Sequence, residues 1–398
     1  MLTRIPLHLS ILLVLTAANT ILAQSTTGDF EKLLRQKASF QEEDLATLKS
    51  SQPVVRLAPS NDKREVAVSG LVGIQAGADE FLNSYRNSLI SKENPAVLEA
   101  GRFGREPALG DLEGLTLDAR DIEDLKKCVV GACPVKLSAA MIERFRQEID
   151  WNAPNYPAAA TSLFRQMMLD YVRDYRARGA AALLEYNDKR EVINVAAEQR
   201  ALDSAPSYVS EFFANAELQP IEEAIVWSKI KFGLKPVIAV SHISIYRPKD
   251  TLGPQVLISS KQIYANHYFN ASLALTAFVR VSDSGSYLVY ENRSRADGLD
   301  GPFGKLKRSV VEKKALEGLR EILAHSKASL EGSPLTAATT EITSYRSYGW
   351  GHRLFGGIRP LLWVLTLSAL IALMALGKRR AAVAAAPKKG LKIESASS

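Results

Sequence analysis

The alternation of apolar and polar residues predicts a strand and a helix between residues 64 and 90. From Arg64 to Ala76, every second residue is apolar or glycine, as in a β-strand that buries one face. These residues are Val66, Val68, Gly70, Val72 and Ile74. Apolar residues then follow at helical spacing, namely Phe81, Leu82, Tyr85 and Leu89. A strand that leads into a helix is therefore the first predicted unit.

The pattern then loosens and becomes helical. Residues 95–125 are rich in glycine and proline, which predicts short strands and turns. From Ser138, which can cap a helix, apolar residues recur at helical spacing. They include Met141, Phe145, Ile149, Leu163, Met167, Tyr171 and Tyr175. A last helix is expected from Ile221, Ile225, Trp227 and Ile230, ending at Gly233. Residues 138–233 are thus predicted to form a helical block.

Residues after Pro236 have the composition of β-strands. Four segments rich in valine, isoleucine, tyrosine and phenylalanine are separated mostly by turn residues, which predicts an antiparallel meander. The segments are 237–246, 255–269, 272–281 and 286–294. One long helix is predicted over 303–330, with apolar positions that include Phe303, Leu306, Val310, Leu319, Leu323 and Leu330.

Two apolar segments mark the ends of the chain. Arg4 precedes an apolar run that ends in a small residue at Ala23, which is the pattern of a cleaved signal peptide over residues 1–23. An uncleaved anchor or a buried helix is the alternative. Residues 360–377 carry no charge, and at about 1.5 Å per residue a helix of this length spans roughly 27 Å, close to the hydrocarbon thickness of a bilayer. We therefore expect one C-terminal transmembrane helix.

The distribution of charge predicts the topology. The 398 residues have a net charge of +7, of which residues 1–23 contribute +1 and residues 378–398 contribute +5, leaving +1 for 24–359. The basic segment 378–398 follows the apolar one directly, so we expect a cytoplasmic tail and an extracytoplasmic main part, periplasmic or extracellular. A nearly neutral main part lacks the basic surface that nucleic-acid binding requires, which excludes that class of partner.

Two connecting segments complete the predicted organisation. Residues 24–60 begin as an amphipathic helix and loosen around Pro53 and Pro59, so they are interpreted as an N-terminal arm. Residues 332–359 have few aliphatic side chains and several serine, threonine, glycine and tyrosine residues, which is typical of a stalk. The stalk would join the folded part to the membrane helix.

The order of the predicted elements resembles the helix-grip fold of the START-like (SRPBCC) superfamily. The sequence SGLVGIQAGADEFLNSY at 69–85 is similar to the first strand and following helix of that family. GPFGKLKRSVVEKKALEGLREILAHSKASLE at 301–331 resembles its closing helix, which a glycine-rich approach precedes. The resemblance places the domain at 61–137 and 234–331, so the helical block at 138–233 would be an insertion.

The resemblance implies an α+β fold in which an antiparallel sheet curls around the long C-terminal helix and leaves an apolar cavity between them. Members of the superfamily typically bind lipids, sterols or polyketide-like molecules there, and some are enzymes. We therefore expect a membrane-anchored protein that binds a lipid or another hydrophobic small molecule near the bilayer. The alternatives are an envelope protein whose helical block docks a protein partner, and an enzyme of the same fold, because fold alone does not determine function.

Cys128 and Cys133 are the only cysteines, and in an oxidising compartment a disulfide between them is the preferred interpretation. A redox pair is the alternative, although the Cys-x-x-Cys spacing is absent. A zinc site would need two further ligands that the neighbouring sequence does not supply, so no metal is expected.

His242, Lys261 and His267 are the candidate ligand-binding residues, because they fall on predicted strands that could line the cavity. They could hydrogen-bond a polar headgroup or act in acid–base chemistry, while the alternative is an ordinary sheet residue with a satisfied partner. Glu291 and Arg293 alternate on one strand, which predicts a surface ion pair.

The sequence otherwise lacks signatures of catalysis. It has no Gly-x-Ser-x-Gly elbow, phosphate-binding glycine loop or His-Glu-x-x-His motif, so we expect no catalytic residues and no cofactor. Asn270 and Asn292 stand in the pattern of glycosylation acceptors, which matters only in a eukaryotic secretory pathway.

Overall fold

A computed structural model describes residues 31–32, 34–36, 40–50, 52–90, 97–213, 218–231, 235–248, 253–280, 285–299 and 304–332. The predicted signal peptide at 1–23, the membrane segment at 360–377 and the tail at 378–398 lie outside these ranges, as does nearly all of the stalk. Among the helices in the ranges given, none combines the length and the apolar character needed to cross a bilayer.

The described helices and strands occur in runs along the chain. The helices are α1 (Glu42–Lys49), α2 (Ala78–Ser88), α3 (Ala119–Leu125), α4 (Ala139–Glu148), α5 (Tyr156–Arg178), α6 (Val195–Asp203), α7 (Tyr208–Phe212) and α8 (Gly304–Glu331). The strands are β1 (Val54–Leu57), β2 (Glu65–Ile74), β3 (Val97–Arg102), β4 (Glu185–Tyr186), β5 (Ile193–Asn194), β6 (Pro220–Ile230), β7 (Val237–Tyr246), β8 (Gly253–Ala265), β9 (Phe269–Arg280) and β10 (Ser286–Ala296).

One large antiparallel sheet organises the fold. Eight strands are hydrogen-bonded in the order β1-β2-β10-β9-β8-β7-β6-β3, and every neighbouring pair is antiparallel. The strands from β6 to β10 form a meander, and the early strand β2 pairs with the last strand β10. β4 and β5 form a separate two-stranded ribbon. The predicted α+β class with a large antiparallel sheet is confirmed.

The two faces of the sheet pack against different helices. On the inner face, defined as the one that packs against α2 and α8, Phe81 stacks on Phe278 with ring centroids 5.3 Å apart. α8 runs closest to β1 and β2. A Cβ atom at Gly70 would lie 2.9 Å from the Leu323 side chain, so the missing side chain at this strand position permits the close approach.

The outer face is covered by the helices between β3 and β6 and by the N-terminal arm. Phe145 and Phe164 of α4 and α5 pack in one buried cluster with Trp227 and Tyr264 of the sheet. A second outer cluster joins α1 and α7 to β2, β8, β9 and β10. The sheet is therefore buried on both faces over most of its width.

Most of the strands and helices predicted from the sequence are confirmed. β2, α2, the meander from β7 to β10 and α8 all lie where the apolar pattern placed them. The predicted helix through Ile221, Ile225, Trp227 and Ile230 was wrong, because Pro220–Ile230 forms β6. β6 is buried on both faces over its second half, so apolar residues stand at nearly every position there and include a subset at helical spacing. The described helices between β3 and β6 therefore end at Phe212.

Candidate functional site

Six buried polar side chains cross the inner face of the sheet in two adjacent rows. The strand register aligns Ser241, Gln262, Ser272 and Ser294 in one row and Ser260 and Asn292 in the next. Each of the six is at most 8% exposed. We call these six residues the polar stripe. Its position between apolar rows makes it the most polar part of an otherwise hydrophobic surface.

Part of the polar stripe is satisfied by hydrogen bonds within itself. The hydroxyl oxygens of Ser272 and Ser294 are 2.8 Å apart, and the Ser294 hydroxyl is 2.8 Å from the Asn292 Oδ1 acceptor. The Asn292 amide donates to the Ser272 hydroxyl at 3.3 Å. These three side chains therefore fix one another on the β9–β10 side of the stripe.

Four buried hydroxyls on the inner face have no hydrogen-bond partner among the described residues. They belong to Ser241 of the stripe, Ser228 of β6, Tyr290 of β10 and Tyr85 of α2. A buried hydroxyl left without a partner costs about 1–3 kcal/mol, and native structures rarely leave several together. Three further unpartnered atoms, on Asp188, Gln199 and Tyr208, are not on the inner face. The four hydroxyls therefore leave hydrogen-bonding capacity unused on the inner face.

The two tyrosines of this group stay protonated at physiological pH. Burial raises the pKa of Tyr85, and the neighbouring Tyr290 hydroxyl raises it further. Burial likewise raises the pKa of Tyr290, while the nearby Asn292 amide lowers it without forming a hydrogen bond of normal geometry. Both hydroxyls can therefore donate as well as accept a hydrogen bond.

His242 lies on the outer face, in an open groove of about 790 Å³. Its Nδ1 atom is 3.0 Å from the Tyr175 hydroxyl, and its Nε2 atom is 3.3 Å from Glu223 Oε1. Burial lowers the pKa of His242, Glu223 raises it, and Lys261 and Arg176 lower it. A neutral imidazole that donates from Nε2 to Glu223 accepts from Tyr175 at Nδ1.

The remaining lining of this groove is rich in arginine. Arg102, Arg105 and Arg176 line it together with Asp111, which accepts hydrogen bonds from the backbone of Gly104 and Ala108. Arg176 donates to the Arg105 carbonyl oxygen and so holds the adjacent loop. Burial raises the pKa of Tyr175 to about 12, with Glu223 and Asp203 contributing. Tyr175 is therefore a hydrogen-bond donor in the groove at neutral pH.

Lys261 stands directly opposite His242 on the neighbouring strand and on the same outer face. Its ammonium group forms an ion pair with Asp203 at the end of α6, at 2.9 Å. Both side chains of this pair are about two-fifths exposed, so the pair contributes little to stability.

His267 does not lie on a strand, contrary to the prediction. It belongs to the turn between β8 and β9, which includes Tyr268 at a positive φ of 61°. Its Nε2 atom is 2.9 Å from the Asp121 carboxylate, which is fully buried. Asp121 also accepts from Lys235 at 2.8 Å and from Asn266 at 3.0 Å. His267 thus has a structural partner and fastens the turn to α3.

The structure therefore does not bring the three predicted ligand-binding residues into one cavity. His242 and Lys261 are cross-strand neighbours on the outer face, and His267 lies in a turn. None of them lies among the hydroxyls of the inner face. The sequence carried a signal for that face, because Ser241 and the other polar residues of the stripe stand in phase with the buried apolar positions of their strands.

Two other predicted pairs have defined positions. Cys128 and Cys133 are joined by a disulfide next to the β4–β5 connection. Glu291 and Arg293 form an ion pair of 3.0 Å, but it is buried on the outer face of β10 instead of lying on the surface. Arg293 also pairs with Glu65 at 2.7 Å, and the Ser207 hydroxyl donates to Glu291.

The part of the chain that the structure describes contains no group of three or more acidic, histidine or cysteine side chains that could hold a metal ion. The chemistry available on the inner face is therefore that of hydroxyl and amide groups in an apolar setting. In the outer groove it is that of a histidine held by tyrosine and glutamate beside arginines.

Comparison with known proteins gives no relative: neither a family model, nor a curated protein, nor a solved structure matches the chain.

Proposed function

We propose that the chain is a single-pass, membrane-anchored extracytoplasmic protein whose START-like domain binds a lipid or another hydrophobic molecule beside the bilayer. The observation that carries the binding function is that four hydroxyls of the inner face, on Tyr85, Ser228, Ser241 and Tyr290, have no partner in the described chain. An amphipathic molecule bound between the sheet and α8 would supply hydrogen bonds to such groups and apolar contacts to their neighbours.

The strand order supports a helix-grip arrangement. β2 lies next to β10, the strands between β10 and β6 follow as antiparallel neighbours, and α8 returns across the inner face. The helices between β3 and β6 cover the outer face, so they leave the inner face to α2 and α8. A ligand space between sheet and long helix is the feature that the START-like resemblance implies.

The membrane position of the domain rests on the sequence at its two ends. The pattern at residues 1–23 favours export, and the uncharged segment 360–377 followed by a basic tail favours a cytoplasmic C-terminus. Protease added to intact cells or spheroplasts should therefore cleave the large domain and spare the lysine-rich tail. Loss of the tail with survival of the domain would contradict this orientation.

The binding function is tested by extracting the full chain from membranes and analysing the molecules that copurify by native mass spectrometry. We expect a hydrophobic ligand with the wild-type chain. Ser241→Leu places a larger side chain in the inner space and should abolish copurification, because the ligand and the new side chain compete for volume.

Ser244→Leu is the matched control, since Ser244 is buried on the same strand but points to the outer face. It should retain the ligand. A wild-type chain that carries no hydrophobic ligand after gentle extraction would contradict the proposed function.

A second candidate function, docking of an envelope protein, is favoured by exposed valines near the disulfide. Val129, Val130 and Val192 are each nearly half exposed. The two loops that carry them are held together by hydrogen bonds from Gly131 to Asn187 at 2.7 Å and from Cys133 to Asp188 at 2.9 Å. Exposed apolar side chains on adjacent loops are typical of a protein-binding surface.

Crosslinking in native membranes tests this second candidate. The double change Val129→Ser with Val130→Ser should remove the crosslinked partner. Leu109→Ser, which alters another exposed apolar side chain, should retain it. Recovery of the lone chain from wild-type membranes would exclude docking.

A further inference from the structure

Lys136 carries a buried amine that neither the inner face nor the outer groove uses. Its side chain is 2% exposed, although lysine is rarely buried so completely unless it is paired. The Nζ atom lies 2.9 Å from Oδ1 of Asn270, which is likewise 2% exposed. The amine of Lys136 is therefore held at the carboxamide of a residue 134 positions away in the sequence.

Hydrogen bonds to the backbone fix the positions of both residues. The Lys136 amide donates to the Asn266 carbonyl oxygen at 2.8 Å, and the Lys136 carbonyl oxygen accepts from the Tyr264 hydroxyl at 3.0 Å. Asn270 belongs to β9, and the turn that leads into this strand is fastened to α3 by His267. An intramolecular reaction gains most from proximity when its two groups are held in this way.

Two carboxyl groups adjoin the Lys136 amine in different environments. Asp297 Oδ2 lies 2.8 Å from Nζ, and Asp188 Oδ2 lies 3.9 Å from it. Burial raises the pKa of Asp188, whose Oδ1 atom has no hydrogen-bond partner in the described chain. Burial also raises the pKa of Asp297, but the charges of Lys136 and Lys189 outweigh burial and hold it below its ordinary value. A pair of carboxyls with such different pKa values can act as an acid and a base in one reaction.

The amine of Lys136 is shielded from water, in contrast to that of Lys189. The centroid of the buried Tyr186 ring lies 5.0 Å from the Lys136 Nζ atom. Lys189 also pairs with Asp297, but its side chain is 45% exposed and contacts no carboxamide among the described residues. Exclusion of water favours reaction between the two protein groups and suppresses hydrolysis. Lys136 is therefore the amine placed for such a reaction.

We propose that Lys136 and Asn270 are joined by an intramolecular isopeptide bond that forms in the folded protein. Lys136 first passes one proton to the Asp297 carboxylate. Its Nζ atom then attacks Cγ of Asn270, and Asp188 relays a second proton from Nζ to Nδ2. The Cγ–Nδ2 bond breaks, and ammonia leaves with the proton that Asp297 held. An amide and an ammonium ion are thus formed from the lysine ammonium and the carboxamide, and no other reactant is consumed.

The bond ties the segment before α4 to the start of β9, so it fastens the outer helices to the sheet. It closes a loop over a sequence separation of 134 residues, whereas the disulfide between Cys128 and Cys133 spans a separation of 5. A crosslink that closes a longer loop removes more conformations from the unfolded chain. The isopeptide bond therefore supplies the main covalent restraint on this part of the fold.

Mass spectrometry of the full chain purified from its membranes tests the proposal. After reduction and digestion with trypsin, the peptides that contain Lys136 and Asn270 should be recovered as one branched peptide. Its mass should be lower than that of the two linear peptides together by one molecule of ammonia. Trypsin should not cut after Lys136, because this cleavage requires a free amine. Recovery of a linear peptide that ends in Lys136 as the main product would overturn the proposal.

Substitutions around the amine test the proton transfer. Asp188→Asn should reduce the crosslinked fraction about tenfold, because proton transfer by a positioned side chain strongly accelerates such reactions. Asp188→Glu keeps the carboxyl group and should restore crosslinking. The matched control is Lys189→Gln, which alters the exposed amine beside Asp297 and should crosslink as the wild type does. Complete crosslinking in Asp188→Asn would refute the role of Asp188 as the proton relay.

Discussion

Ser241 and His242 are adjacent on β7, yet the Ser241 hydroxyl is buried on the inner face without a partner in the described chain, and the His242 imidazole is held by Tyr175 on the outer face. The pleat of a single strand therefore separates two chemical environments. The inner one offers neutral hydrogen-bonding groups in an apolar setting, and the outer one carries buried ion pairs that join helices to the sheet, such as Arg295 with Glu198.

The unpartnered inner hydroxyls should behave differently from buried hydroxyls that have partners. Tyr85→Phe removes a hydroxyl without a partner, so the ligand-free protein should be unchanged or more stable. Tyr171→Phe removes a hydroxyl that donates to the Ile263 carbonyl oxygen at 2.7 Å, so it should lower the free energy of unfolding by about 1 kcal/mol.

Denaturant unfolding of the delipidated chain measures both tyrosine variants. With ligand bound, Tyr85→Phe should instead be less stable than wild type, because the substitution then removes a hydroxyl that has a hydrogen-bond partner. A clear loss of stability in ligand-free Tyr85→Phe would show that the hydroxyl is satisfied within the protein.

Gly70 should be required for the close approach of α8 to β2. A Cβ at this position would lie 2.8 Å from the Val54 carbonyl oxygen and 2.9 Å from the Leu323 side chain. Gly70→Ala should therefore destabilise the fold by about 1–3 kcal/mol, since backbone and helix must shift to make room. The control is Gly110→Ala, where a Cβ would meet no heavy atom within 4 Å. Equal thermal stability of the two variants would refute this packing.

The sequence predicts the fold class and most elements because the apolar residues keep the period of their element. Phe81, Leu82 and Tyr85 follow one helix stripe, and α8 continues its stripe to Leu323. β6 breaks this rule. This strand lies between α2 and the helices of the outer face, so both of its sides are apolar around Trp227. The spacing of its apolar residues therefore does not distinguish a strand from a helix.

The positions of the site residues depend on the strand register and on partners from distant parts of the chain. The local sequence pattern contains neither. The opposition of His242 and Lys261 follows from a bulge near Ser241 that sets the β7–β8 register. The partner of His267 comes from α3, far away in the sequence. The serines of the polar stripe are in phase with buried apolar positions, so the sequence indicates that they face the core. Whether one of them lacks a hydrogen-bond partner depends on the packed structure alone.

Asp121 should make stability depend on pH in the acid range. Burial raises its pKa, but the hydrogen bond and charge of His267, together with Lys235, outweigh burial and hold the pKa below its ordinary value of 3.8. A carboxyl with a depressed folded-state pKa stabilises the protein above its unfolded-state pKa and loses this contribution as the pH falls through the folded-state value. The stabilisation by Asp121 is therefore complete at pH 7 and declines below about pH 3.8.

Asp121→Asn should lower the free energy of unfolding at pH 7 by about 3 kcal/mol, because it leaves the buried charge of Lys235 without its main partner. The difference from wild type should shrink below pH 3.8. Asp124→Asn removes a more exposed partner of the same lysine and should cost less than about 1 kcal/mol. A deficit for Asp121→Asn that is equal at pH 7 and pH 3 would contradict the linkage.

His242 should titrate below its ordinary pKa of 6.5, and two substitutions should move it in opposite directions. Burial is the largest cause of the lowered pKa, with Lys261 adding to it and Glu223 opposing it. Glu223→Gln removes a hydrogen-bonded negative charge and should lower the pKa of His242 further. Lys261→Gln removes a nearby positive charge and should raise it. NMR titration of isotope-labelled histidine, assigned with His242→Gln, measures both shifts.

Stability should follow the same titration. Because the folded-state pKa of His242 lies below the unfolded value, protonation of this histidine disfavours the folded state. The contribution of His242 to the free energy of unfolding is therefore present above pH 6.5 and is lost as the pH falls from 6.5 towards the folded-state pKa.

The control for the titration is Lys127→Gln, which makes the same charge change as Lys261→Gln on an exposed residue that does not perturb His242. It should leave the pKa of His242 unchanged. A His242 pKa at or above 6.5, or a shift of the same sign in Glu223→Gln and Lys261→Gln, would contradict the arrangement of charges around the outer groove.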